Sequence, residues 1–450
     1  MSMKALKDKK RLILGLGQTG LSVARFLHKA GQAFNVMDTR DLVPGIDELA
    51  EFAPDAYLLW NPSVFAEFDE LVVSPGIAIS EPDIQAAINK GVSVIGDIEL
   101  FAQVNEIPVI AITGSNGKST VTDLVAAMIN STDKTALIGG NFGIPALDLI
   151  EQKADFIVLE LSSFQLETTN KLATCVSTIL NISEDHLDRY DSYQDYINAK
   201  QRIYRHAELK VINHDDDNTW TLDDQQIEFG VVDSAENDQD IELDWYCDLN
   251  LQQIVNQGQA VLDISELTLK GLHNMVNVTA ALALVQAAGI DITNDVLEAA
   301  KSYQGLEHRC QFICQANGIS YINDSKATNV GATVAAINSF EPLYEHIHLI
   351  AGGDAKGADL SSLASLVREK ITSLIAFGKD AKALTLLSAD NSYLVENMAQ
   401  ALVKANQLIN EKRLDNNLVL LSPACASLDM YKNYQERGEE FSKLARALAC

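Results

Sequence analysis

Two glycine-rich turns and two short polar clusters hold the residues most able to do chemistry in this chain. The stretch Ile112-Thr113-Gly114-Ser115-Asn116-Gly117-Lys118-Ser119-Thr120 ends in a Gly-Lys-Ser tail. Backbone N–H groups of such a loop cradle phosphates, Lys118 reaches the β- and γ-phosphates, and the Ser119 hydroxyl can coordinate Mg²⁺. The usual phosphate loop has a glycine where Ile112 stands, so the match is incomplete. Phosphoryl transfer needs further metal ligands. Glu160 follows the apolar run Phe156–Leu159, and His186 lies in Asn181-Ile182-Ser183-Glu184-Asp185-His186-Leu187-Asp188, after Val176–Leu180. Each has a plainer alternative, a solvated carboxylate for Glu160 and a structural imidazole for His186. The other turn, Gly15-Leu16-Gly17-Gln18-Thr19-Gly20, has the spacing G-x-G-x-x-G, and Asp38 lies 18 residues beyond Gly20. In a dinucleotide site that acid binds a ribose hydroxyl, so an NAD-dependent oxidoreductase is one reading and a bare strand–helix turn another.

Both turns need a strand behind them and a helix ahead. The pattern supplies these: strands at Leu12–Leu14, Phe34–Met37, Leu71–Ser74 and Val92–Ile95, with helices at Thr19–Lys29 and Ile84–Lys90. Val109-Ile110-Ala111-Ile112 is a continuous apolar strand, as a sheet buried on both faces requires. Helices are expected at Tyr193–His206 and Met275–Ala288. His214–Glu242, rich in Asp, Asn and Gln, reads as surface loops and short edge strands. Further strands follow at Gln311–Gln315, Ile319–Ile322, His346–Ile350, Leu374–Phe377 and Leu418–Leu421, with a last helix at Glu439–Ala449. The expected fold is α/β in three domains: a Rossmann-like N-terminal domain (1–98), a central P-loop-type ATPase domain (99–304) and a Rossmann-like C-terminal domain (305–450).

Composition excludes several classes. With 450 residues, 47% hydrophobic and 21% charged, the chain has ample apolar material for a core. The net charge of −28 argues against nucleic-acid binding, which needs a positive footprint. No apolar run approaches the ~20 residues a membrane span needs. Met1–Lys10 is basic, but Arg11–Gly15 is too short for a signal segment, so the expected location is cytoplasmic. The six cysteines show no CxxC spacing. Cys310, Phe312 and Cys314 alternate as on one strand face, and core thiols fit better than zinc ligands or disulfides.

Taken together, the motifs resemble the Mur ligases of bacterial cell-wall synthesis, whose ATP loop also lacks the first glycine. Glu160, the Asn181–His186 cluster and Lys200 follow in that family's order. Leu159–Leu166 and Asp185–Tyr190 match in the centre, and Asn323–Asn329, Gly352–Gly357 and Ser422–Asp429 match in the last third, so the resemblance spans nearly the whole chain. It points to the member that joins D-glutamate to UDP-N-acetylmuramoyl-L-alanine with ATP hydrolysis through an acyl phosphate. The Asp-Asn-Pro-Arg motif of the sister ligase for a diamino acid is absent, and folate polyglutamate ligases lack an N-terminal unit of this kind. A nicotinamide oxidoreductase and a non-catalytic nucleotide-binding regulator remain rivals from other classes.

The resemblance implies a role for each matching position. Gln18, Thr19, Asp38, Thr39, Arg40, Ser74 and Gly76 would hold the uridine diphosphate end, and Asn141 and Ser162 would lie near the muramoyl group. Gly114, Ser115, Asn116, Gly117, Lys118, Ser119 and Thr120 would hold ATP, with Asn274, His308, Arg309, Asp324 and Lys326. Asn274 has the plainer reading of a helix cap. Ser119, Glu160, His186 and Lys200 would ligate Mg²⁺, two ions being expected, with Lys200 present as a carbamate. A carbamate turns a cation into an anion with two acceptor oxygens, and its formation needs a neutral, desolvated amine. Lys118, His186 and Lys200 would be catalytic. Thr328, Lys356, Ser427, Leu428 and Tyr434 would form the D-glutamate pocket, with tyrosine where the family has phenylalanine. The chain is expected to act as a monomer.

Overall fold

The structure is a computed structural model that describes residues 6–183, 189–221, 226–233, 243–269 and 271–449. The strands form three sheets, which hold the expected strands and others that the pattern did not mark, such as Ala136–Gly140 and Ala207–Asn213. The first is parallel, in the order β2-β1-β3-β4, from β1 (Arg11–Leu14), β2 (Phe34–Met37), β3 (Glu70–Val73) and β4 (Ser93–Ile95). It pairs Leu14 with Met37 and with Val73, so β1, β2 and β3 end together and the loops that follow them gather at one edge.

The second sheet has nine strands in the order β13-β12-β11-β10-β9-β8-β5-β7-β6. Its strands are β5 (Val109–Thr113), β6 (Ala136–Gly140), β7 (Phe156–Glu160), β8 (Thr174–Ile179), β9 (Ala207–Asn213), β10 (Gln226–Val232), β11 (Trp245–Asp248), β12 (Gln253–Asn256) and β13 (Gln259–Asp263). The only antiparallel pairings among them join β11 to β12 and β12 to β13. β5 is buried along its whole length because β7 and β8 flank it; its unbroken apolar run is the residue choice such a position demands. At the far edge β13 exposes Gln259, Ala260 and Asp263, and a bulge interrupts its register with β12. The part of His214–Glu242 that is described includes β10, a seven-residue interior strand and not an edge.

The third sheet runs β14-β15-β19-β16-β17-β18, from β14 (Gln311–Ala316), β15 (Ile319–Asn323), β16 (His346–Gly352), β17 (Ser373–Phe377), β18 (Ser392–Leu394) and β19 (Asn417–Leu421). Only β14 is antiparallel. The alternation of Cys310, Phe312 and Cys314 does not survive: Cys310 precedes the strand with φ +42°, and the register slips between Phe312 and Cys314.

By packing, residues 1–265 and 276–300 form one compact unit, and residues 266–275 and 301–450 a second. One apolar core runs through both sheets of the first unit, from Ile13, Leu27 and Phe101 to Val109, Leu159 and Ile203. The second unit has a core on each face of its sheet, one around Ile337 and Leu349, the other around Leu402 and Phe441. Among the described residues no helix is long and apolar enough to cross a membrane.

Candidate active site

The N-terminal turn is built by close approach. Gly15 has φ +90°, Gly17 caps the helix Gln18–Lys29, and a Cβ on Gly20 would sit 1.9 Å from the Gly15 carbonyl oxygen. Only glycine lets the helix lie this near the strand end, with its N–H groups facing the space beyond. Asp38, at the end of β2, braces the turn. Its Oδ2 accepts from Leu16 N at 2.7 Å and Arg40 Nη2 at 2.6 Å; its Oδ1 accepts from Arg40 N at 3.0 Å and Arg40 Nε at 2.8 Å. The Arg40 hydrogen bonds bring its pKa down to about 2, against burial, which raises it. Two carboxylate oxygens offer about four acceptor positions, and protein donors take all four. Asp38 has none left for a ribose diol, which removes the feature that favoured NAD.

A cavity of about 440 Å³ opens over this turn, lined by Gln18, Thr19, Asp38, Thr39, Arg40, Ser74 and Gly76, with Asn141 and Gln165 on its far wall. Ser162 does not line it. Ser162 caps the helix Ser163–Glu167 in a reciprocal box with Gln165, which aims the glutamine instead. Gln165 Nε2 also donates to the buried Asp97 at 3.3 Å. Arg189, to which the motif assigned no role, fixes another wall. It donates to the carbonyls of Pro75 (2.9 Å) and Ile77 (3.1 Å) and stacks over Phe164 at 4.0 Å.

The phosphate loop sits between β5 and the helix Lys118–Asn130. Gly117, with φ +82°, caps that helix, and a Cβ there would meet Asn277 Oδ1 at 2.5 Å. Ser115 N and Asn116 N donate to the backbone and side-chain oxygens of Asn181. Lys118 Nζ curls back to Gly114 O and Ser115 O, each at 2.9 Å. Thr120 lies half-buried in the helix's first turn. Ser119 Oγ donates to Glu160 Oε2 at 2.6 Å, and Asn141 Nδ2 donates to Glu160 Oε1 at 2.5 Å. Glu160 is 2% exposed, so it is not a solvated carboxylate.

Lys200 lies on the helix Tyr193–Gln201, which ends before the expected His206 and passes into a 3₁₀ turn. It is buried, donates to Gly114 O at 2.8 Å, and lies 4.7 Å from the centroid of the Tyr196 ring. His186 falls outside the described residues. Among those described, no cluster of three or more His, Cys, Asp or Glu gathers to hold a metal. The Ser119 hydroxyl and Glu160 carboxylate are nevertheless a buried pair of hard oxygen donors at a helix N-terminus, the chemistry Mg²⁺ selects.

In the second unit Asp324, Lys326 and Thr328 follow β15, Lys356 follows β16 and Ser427 and Leu428 follow β19, three neighbouring strands, at the end where open parallel sheets bind ligands, while His308 and Arg309 precede β14. Asp324 accepts from Ser422 Oγ at 2.9 Å and Cys310 N at 3.2 Å. Burial pushes its carboxyl up to about 7, with the charge of Arg309 opposing. His308 is buried, its Nδ1 paired with Asn323 Nδ2 at 3.1 Å and its ring edge-on to Tyr434. Lys326 Nζ lies 5.6 Å from the Tyr434 ring centroid. Thr328, Lys356 and Leu428 are exposed, Ser427 is buried, and Tyr434 opens the helix Tyr434–Ala449. Asn274 lies in the first turn of the helix Leu272–Ala287 and is buried.

Family models agree with this layout. Residues 9–96 match the MurD-like N-terminal domain of Mur ligases, residues 112–285 the Mur ligase middle domain, and residues 308–425 the Mur ligase glutamate ligase domain. The chain belongs to the Mur ligase family. It is 44% identical to the UDP-N-acetylmuramoylalanine–D-glutamate ligase of Haemophilus influenzae (strain PittEE), over 99% of this chain and 100% of the relative. It is 43% identical to the enzyme of the same name from Pseudoalteromonas translucida, over 99% of each. Among solved structures, UDP-N-acetylmuramate–alanine ligase of Thermotoga maritima shares the fold with a TM-score of 0.56 at 18% identity, covering 98% of this chain and 100% of that one. A pseudomurein peptide ligase of Methanothermus fervidus also gives 0.56, at 16% identity and coverages of 98% and 100%.

Proposed function

We propose that this chain joins D-glutamate to the L-alanyl carboxylate of UDP-N-acetylmuramoyl-L-alanine in the cytoplasm, as a monomer, with ATP converted to ADP and phosphate. The observation that supports this most is the chain Asn141–Glu160–Ser119. Asn141 lines the nucleotide cavity, Ser119 opens the phosphate loop, and Glu160 is hydrogen-bonded to both. A substrate whose diphosphate rests on the Gly15–Gly20 turn therefore extends toward the place where a γ-phosphate would lie. Its carboxylate oxygen bonds to phosphorus as the bond to ADP breaks. The D-glutamate amine then bonds to the carbonyl carbon, and phosphate leaves.

The chain's own residues supply position and charge for these steps. Lys118 now donates to its own loop carbonyls and can turn to the phosphates. The glycine loop and helix N-terminus offer N–H donors. Ser119, Glu160, His186 and Lys200 would hold Mg²⁺, which when bound neutralises phosphate charge. We assign Lys200 as a carbamate. Its amine and that of Lys118 both donate to Gly114 O, and carbamylation replaces that like-charged pair with an opposite-charged one. Arg309, Asp324 and Lys326 would serve ATP, and Thr328, Lys356, Ser427, Leu428 and Tyr434 the amino acid.

The test is phosphate release from ATP with UDP-N-acetylmuramoyl-L-alanine and, separately, D-glutamate, L-glutamate or a diamino acid. Release that needs D-glutamate supports the proposal. Release with another acceptor moves the chain to a sister activity, and silence with every acceptor, with Mg²⁺ and bicarbonate present, refutes it. An oxidoreductase is tested by NADH absorbance. Carbamylation is tested by ¹³C NMR after ¹³C-bicarbonate: a carbamate resonance lost in Lys200→Ala supports it, and no resonance refutes it.

A further inference from the structure

The helix Tyr434–Ala449 carries a buried arginine that takes no part in the reaction proposed for this chain. Arg437 is fully buried, yet among the described residues its guanidinium hydrogen-bonds a hydroxyl and three carbonyls and no carboxylate. Its Nε donates to Ser325 Oγ at 3.0 Å and its Nη2 to Ser325 O at 2.9 Å; its Nη1 donates to Gly352 O and Cys425 O, each at 3.1 Å. These acceptors lie at the C-terminal ends of three strands: Gly352 closes β16, and Ser325 and Cys425 follow β15 and β19. Burial lowers its pKa only to about 10, so it remains a cation at neutral pH.

The loops are shaped around it. A Cβ on Gly353 would sit 2.1 Å from Ala426 O and 3.2 Å from Arg437 Nη1, so glycine there lets the guanidinium reach Gly352 O and Cys425 O together. Ala424 and Lys356 hold φ of +59° and +51°, conformations that non-glycine residues keep only when their surroundings enforce them. Ser325 Oγ also donates to Tyr434 O at 2.7 Å, which joins the pocket tyrosine to the same knot.

We infer that Arg437 is a positioning residue for the amino-acid substrate, a planar clamp that sets the loops bearing Thr328, Lys356 and Ser427 against one another. The inference rests on the D-glutamate reading of those loops. An ammonium lacks the planar fork that spans several acceptors at once, so R437K keeps the charge and loses the bridge.

The experiment measures KM for D-glutamate, kcat, equilibrium binding of UDP-N-acetylmuramoyl-L-alanine and Tm for the wild type, R437K and S325A. S325A deletes only the Nε acceptor and the link to Tyr434, and serves if R437K folds poorly. The clamp predicts a D-glutamate KM raised at least tenfold in R437K and about threefold to tenfold in S325A, with nucleotide-sugar binding changed less than twofold. A lowered Tm with an unmoved KM in both variants overturns the clamp and makes Arg437 a joint of the fold only. The wild type separates the two layers: phosphate release without need of D-glutamate overturns the underlying reading, whereas D-glutamate dependence with unmoved KM values overturns only the clamp.

Discussion

Gly20→Ala tests how the nucleotide end is held. The added Cβ would lie 1.9 Å from the backbone oxygen of Gly15, against 3.4 Å for ordinary contact. The obstacle is backbone at the end of β1, so no side chain can swing aside, and the helix Gln18–Lys29 must retreat by about 1.5 Å. Overpacking of this kind costs about 1–3 kcal/mol, partly offset by the ~1 kcal/mol that alanine gains over glycine inside a helix. Binding should suffer more. A displacement that size takes the helix N–H groups out of hydrogen-bond range of a diphosphate, and charge-assisted bonds are worth roughly 1.5–3 kcal/mol each. The expected result is a KM for the UDP substrate raised by about 10²-fold, with the KM for ATP changed less than threefold and a Tm lower by a few degrees. Gly17→Ala is the control for folding, because its Cβ would meet nothing within 4 Å; its Tm should match the wild type. Steady-state kinetics with each substrate varied in turn, together with thermal denaturation, decide the matter. A G20A enzyme with wild-type Tm and wild-type KM for the UDP substrate would refute both the close approach and the placement of the diphosphate.

Two further outcomes can be stated. Glu160→Gln keeps the shape of the link between Ser119 and Asn141 but removes its charge and one acceptor; kcat should fall by about 10²–10³-fold with UDP-substrate binding retained by calorimetry, and a kcat within threefold of wild type would exclude a role at the reacting phosphate. Asp324 has its pKa raised from 3.8 to about 7, so the folded chain binds the proton more tightly than the unfolded one. Its contribution to stability is full below pH ~4 and declines as pH rises toward 7, by on the order of a few kcal/mol; Asp324→Asn should flatten the fall of Tm between pH 5 and 8, and parallel curves would contradict the burial argument.

The sequence was most legible where one constraint dominates. A strand buried on both faces must be apolar, so Val109–Ile112 announced β5; a turn against a helix must be glycine, so Gly15–Gly20 announced its cavity. It was least legible where a side chain acts through partners distant in sequence. Nothing local marks Asp38 as a brace with every acceptor filled, and Asp38 alone could as well have been a ribose ligand. Gln165 is reached only through Ser162, whose capping pattern was the available signal. Arg437 looks like one more charged residue on a helix of three glutamates and three basic residues, because its acceptors sit 12, 85 and 112 residues away. The Cys310–Cys314 alternation misled because a bulge breaks period two without leaving a trace in residue type.

The outer strand β13 bears on how the protein behaves in a concentrated solution. Among the described residues nothing pairs with its outer side, so it offers a row of backbone donors and acceptors to any neighbour. The bulge beside it twists that row, exposed Asp263 sits at its end, and each copy carries the same −28 charge; together these keep two copies apart at neutral pH. Acidification toward the sequence pI of about 4.5 abolishes the repulsion and leaves the row intact. Clouding of a stock on acidification should therefore begin as association of folded chains, reversed by raising the pH, and a storage buffer well above that pI protects the preparation better than added salt.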